Sequence, residues 1–180
     1  MDVATTYLDE MRGEFAGLRK HAERALAQVD DRGFFHEIDP EANCIGVVVK
    51  HVGGNLRSRW TDVLTTDGEK PDRYRDNEFV IAPDDTRHSV MALWARGWGA
   101  LESSLAALSP ADLLRTIYIR AEPHTVLKAI DRAALHTAMH VGQIVLLAKH
   151  VQGASWTTLS IARGQSAAFN ERLRDTFTKT

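Results

Sequence analysis

Two histidines four residues apart, His136 and His140 in "ALHTAMHVGQI" (134–144), carry the spacing most suggestive of chemistry in this chain. On an α-helix, positions four apart lie about 40° apart around the axis and about 6 Å along it, so both imidazoles leave the same face. That stripe also holds Ala129, Arg132, Ala133, Gln143 and Leu147. Its small and apolar members predict an inward-looking face. Buried imidazoles need partners, because an unsatisfied buried polar group costs about 1–3 kcal/mol. A shared metal ion is one solution, since neutral imidazole nitrogen suits zinc, nickel, iron or copper. A surface pair or a coincidence is the plainer alternative for an HxxxH spacing taken alone. Thr137 stands where a zincin has the glutamate of H-E-x-x-H, which disfavours metalloprotease chemistry.

Two imidazoles under-coordinate a metal, so a third ligand must come from another element. Of the other six histidines, His51 sits inside a helical stretch, "VVVKHVGGN", on a stripe of Cys44, Val47, Val48, His51, Asn55, Ser58 and Asp62. The N-terminal half of that stripe is apolar and predicts core. Gly53 and Gly54 follow directly. Each glycine in a helix interior costs about 1 kcal/mol relative to alanine, so the pair predicts close approach beside His51, or else a bend. Asn55, Arg132 and Gln143 could hold the ligand rings from behind, or could cap and cross-link helices. Cys44 reads as a small buried hydrophobe. His21, His36, His88, His124 and His150 lie near element ends or on mixed faces and receive no role. Trp60, Trp94, Trp98 and Trp156 read as core or interface.

Four long helices must position these groups. Apolar residues at steps of three and four predict helices over 3–29, about 42–64, about 87–108 and about 125–151. "SPAD" (109–112) has the signature of a helix start and predicts a single turn. "RTIYIRAEP" predicts a short strand or extended segment, and a short helix is expected near 165–177. Residues 65–86 form a connection of roughly twenty residues, rich in Asp, Pro and charge; such a length implies function or mobility. The fold class predicted is all-α: an antiparallel four-helix bundle with a long connection after the second helix and a short extended segment before the fourth. A length of 180 residues predicts one domain, 1–180.

Composition limits the partners. Hydrophobic residues make up 44% and charged residues 26%, with a net charge of -2, which fits a soluble globular chain. No Lys/Arg stripe points to nucleic acid, and no apolar run is long enough to span a bilayer. The single cysteine excludes an internal disulfide and, with the absence of an apolar leader at the N-terminus, suggests a cytoplasmic location.

A histidine followed by the Gly-Asn of "HVGGN", with "HTAMHVGQI" on a later helix, resembles the DinB-like superfamily of metal-binding four-helix proteins. The tail "WTTLSIARGQSAAFN" resembles the C-terminal segment of a branch known only as a domain of unknown function. The resemblance covers nearly the whole chain. It implies that His51, His136 and His140 bind a divalent metal, zinc or nickel first, with iron or manganese as alternatives. It also implies water at the remaining positions and a homodimer. Relatives in the superfamily use small thiols in transfer or isomerisation reactions. Three protein ligands leave open positions, as catalytic metal sites do. A bound thiol would lose its proton near neutral pH, and no side chain is a clear general base. The functional expectation is therefore a metal-dependent enzyme of the thiol S-transferase-like type. The alternative is a non-catalytic protein that binds or senses a metal or small ligand, and a purely structural metal ranks last.

Overall fold

The computed structural model describes residues 2–177. They form α1 (Val3–Leu26), a one-turn α2 (Asp31–Phe34), α3 (Ile45–Trp60), α4 (Arg87–Ala107), β1 (Thr116–Ile119), β2 (Glu122–Thr125), α5 (Val126–Gln152) and α6 (Ser166–Phe177). Short 3₁₀ turns occupy Arg75–Phe79, Pro110–Asp112 and Gly153–Ser155. The protein is mostly helical with one small two-stranded sheet, and α1, α3, α4 and α5 pack around a common apolar core.

Local chemistry fixes the helix ends. Asp2 accepts hydrogen bonds from the Ala4 and Thr5 amides and opens α1. Thr86 and Ser89 form a reciprocal capping box at the start of α4, and Thr125 caps α5. α5 stops at Gly153, which takes a positive φ of 52°. α1 ends at Leu26 rather than at the expected residue 29. Arg87 donates to the Leu26 and Val29 carbonyls, and Asp30 caps α2, so the chain turns where one unbroken helix would otherwise run. Trp60, Trp94 and Trp98 are fully buried with Phe15, Leu56, Leu101, Ile130 and Ile144.

The extended segment before α5 is a hairpin, not a single strand. Thr116 pairs with Thr125 and Ile119 with Glu122, antiparallel. Its two turn residues, Arg120 and Ala121, have φ of 56° and 61°, the left-handed pair that matches the twist of a two-residue hairpin. Neither is glycine. The strain is offset by Asp67, whose carboxylate accepts from both turn amides at 2.9 and 2.8 Å.

α3 crosses α4 closely enough for backbone to meet backbone. A Cβ on Gly53 would stand 2.9 Å from the carbonyl carbon and oxygen of Leu93, and one on Gly97 would stand 2.9 Å from the Cα of Gly53. The close approach expected beside His51 is thus present, and Gly53 meets a neighbouring helix. Among the described residues, no helix is long and apolar enough to cross a membrane.

Candidate metal centre

α3 delivers His51 and α5 delivers His136 and His140 to one point. Their ligand-capable ring nitrogens lie within 4.8 Å of one another. His136 Nε2 is 3.3 Å from His51 Nε2 and 3.2 Å from His140 Nε2. His51 is buried, and the other two rings are half-buried.

The far sides of the rings fix the tautomers. His51 Nδ1 lies 2.8 Å from Glu78 Oε2, and His140 Nδ1 lies 2.7 Å from Gln143 Oε1. An amide oxygen only accepts, and so does an ionised carboxylate, so each Nδ1 carries the proton. The two Nε2 atoms therefore present lone pairs to His136 Nε2. Three such nitrogens can share at most one proton between them in the neutral state, which leaves an electron-rich point suited to a cation. The spacing fits as well: nitrogens about 2.0–2.1 Å from a common ion at tetrahedral angles stand about 3.3–3.4 Å apart.

Electrostatics favour the neutral rings that a metal requires. Burial, followed by the neighbouring His140, His51, Arg73 and Arg132, pushes the His136 pKa down to about 4. Burial also lowers that of His140, against the opposing hydrogen bond to Gln143.

The connection between α3 and α4 covers the site. Phe79 packs against the His51 ring, with centroids 4.8 Å apart. Glu78 receives Arg73 in a bidentate pair, Nε to Oε1 at 2.8 Å and Nη2 to Oε2 at 2.9 Å. Burial raises the Glu78 pKa, and the bonds and charges of Arg73 and His51 outweigh it, so the carboxyl lies below its ordinary value. Gly54 makes room for this carboxylate, because a Cβ there would overlap Glu78 Oε1 and lie 2.8 Å from its Cδ. The two glycines thus serve different neighbours.

Of the three side chains expected behind the rings, Gln143 touches one. Among the described residues, no hydrogen bond joins Asn55 or Arg132 to the three rings; Arg132 instead lies 3.3 Å from His124 Nε2. The partner that sequence reasoning missed is Glu78, held by Arg73. The paired glycines were its only trace, since one of them is kept small for a residue 24 positions away. Cys44 is buried at the N-cap of α3, and its thiol pKa is raised by burial.

The site opens onto a cavity of about 210 Å³ whose wall includes His51, His136 and Asn55. Residues 2–165 match the model of a family described as protein of unknown function, DUF1572. The chain belongs to that family. The match takes in all three histidines and Glu78 and stops just short of α6. It accords with the resemblance of the tail to a branch without an assigned reaction. No curated protein matches the chain.

Proposed function

We propose that His51, His136 and His140 bind one divalent metal ion, zinc or nickel before iron or manganese, and that the protein is a metal-dependent enzyme of the thiol S-transferase-like type. The observation that carries the metal reading is the convergence of three Nε2 atoms, two of which have their protons drawn to the opposite nitrogen. Glu78 and Gln143 hold the rings in that tautomer and orientation, as carboxylates and amides do behind metal-bound histidines. Such an ion would lower the proton affinity of a small thiol or water at its open positions and so supply a competent nucleophile near neutral pH. The chain's own residues position the reactants: His51 and His136 border the cavity, Phe79 shields the His51 ring, and Glu78 keeps it oriented.

The four long helices fit an antiparallel bundle of the DinB-like superfamily, with 1–180 as a single domain of cytoplasmic location. A homodimer is supported by α5, whose Leu135, Met139 and Leu146 are exposed within about 40° of one another around the helix. One observation favours the second reading, a metal- or ligand-binding sensor without turnover. Among the residues lining the cavity there is no carboxylate and no histidine apart from His51 and His136 to act as general base.

The test is a rate measurement with a panel of small thiols and a model electrophile, on metal-loaded and chelator-treated protein. A rate that depends on metal with at least one thiol is expected. No such rate with any thiol moves the protein to the sensor reading.

A further inference from the structure

The cavity beside the histidines is unusually cationic. Arg59, Arg73, Arg75, Arg120 and Arg132 line it, and no acidic residue does. Two buried or partly buried carboxylates behind the wall partner some of these charges. Glu69 lies 2.8 Å from both Arg59 and Arg120, and Glu78 takes Arg73. Five guanidinium groups against Glu69 and Glu78 leave three positive charges. Arg75 lies over the Phe79 ring, with the fully exposed Asp76 3.7 Å away. Arg132 has no carboxylate partner among the described residues; its neighbour is the ring of His124.

Two buried donors in this wall have no hydrogen-bond partner, Arg73 Nη1 and Trp60 Nε1. The Arg73 side chain is 2% exposed, and the nearest carboxylate oxygen to its Nη1, on Glu69, is 3.6 Å away. Its Nε and Nη2 are both spent on Glu78, which leaves Nη1 as the free arm of the fork. Buried N–H groups in native proteins are almost always satisfied, by protein or by ordered water, and these two have almost no accessible surface, so an acceptor in the cavity reaches them only with a small shift of the wall. Arginine clusters suit planar or tetrahedral oxyanions, which accept two parallel hydrogen bonds from each fork.

We propose that this cavity binds a small molecule carrying an oxyanion, a carboxylate or a phosphate monoester, seated on Arg132, Arg73 and Trp60 with its other end directed at His51 and His136. The proposal rests on the metal centre only for the purpose of that second end. The seat itself is made of arginine and indole donors. Its volume admits a metabolite-sized ligand and excludes a folded partner.

The test is calorimetric titration at low ionic strength with two probes, succinate and glycerol phosphate, on the protein as purified and again after chelator treatment. Saturable binding of at least one probe is expected, and which of them binds separates the carboxylate source from the phosphate source. Arg132 is exposed, so Arg132→Gln should fold normally, and it should weaken binding about tenfold through loss of a charge-assisted bond. Arg96→Gln, on the exposed face of α4 outside the cavity, should leave binding unchanged. His140 does not line the cavity, so His140→Ala should lose metal and keep the anion. Failure of both probes to saturate wild type overturns the proposal, and so does equal affinity in Arg132→Gln and wild type. Wild type that binds the anion but takes up no divalent ion, as purified or after incubation with zinc or nickel, would sink the metal reading and leave this one standing.

Discussion

α3 has two flanks built to opposite ends. Toward α4, at Gly53 and Gly97, side chains are removed until backbones touch. Toward α5, at His51, Asn55 and Arg59, the helices stand apart around a cavity walled by polar and charged groups. The first flank gains dispersion contacts and excludes water. The second forgoes that packing and buries the Arg73–Glu78 ion pair, with His51 hydrogen-bonded to it, a pairing that continuum reasoning values little for stability alone. A helix that can pack down to its backbone on one side and does not on the other is keeping the space for something. Gly54 shows the two demands meeting, since it is small for Glu78 and not for a helix.

The contrast can be broken from either side. Gly97→Ala drives a methyl into the Gly53 backbone and should destabilise the protein by about 3 kcal/mol, measured as a fall in the urea midpoint. An unchanged midpoint would mean the α3–α4 seam is looser than described. On the other flank, Glu78→Gln should weaken metal affinity by about 10–100-fold, read by competition with a chromophoric chelator. Undiminished affinity would remove Glu78 from the site.

A smaller effect concerns protons. His136 has a folded pKa of about 4 against an ordinary 6.5, so between those values the unfolded chain binds more protons than the folded one. Stability of the metal-free protein should therefore be complete above pH 6.5 and fall as the pH drops toward 4. His136→Ala should flatten part of that slope, and a wild-type curve without slope in the window would contradict the depressed value. The smallest effect lies away from both flanks. Nothing stands within 4 Å of a Cβ on Gly13 or Gly17 of α1, so each change to alanine should stabilise by about 0.5–1 kcal/mol in thermal melts. Destabilisation there would mean that this face of α1 is covered in solution.

What could be read without the structure follows from what is local. Helical periodicity and the HxxxH spacing are properties of a single segment, and they located α1, α3, α4, α5 and the pair His136 and His140. His51 was legible because a histidine and two glycines interrupt an apolar stripe. Glu78 and Arg73 were not, because a connection has no periodicity and one acid among many carries no mark. The hairpin turn escaped for a related reason. Arg120 and Ala121 have no intrinsic preference for positive φ, and the residue that holds them there, Asp67, is more than fifty positions away. For Arg132, face geometry alone leaves a place behind the rings and a cross-linking role equally open, and its long side chain reaches His124 and the cavity wall.

The central claim is that three converging imidazoles hold an ion. Elemental analysis of purified wild type and His136→Ala, with circular dichroism to show that both are folded, tests it most directly. Wild type should carry about one divalent ion per chain, as a three-histidine site would, and the variant close to none. Equal metal content in two folded proteins would contradict the account.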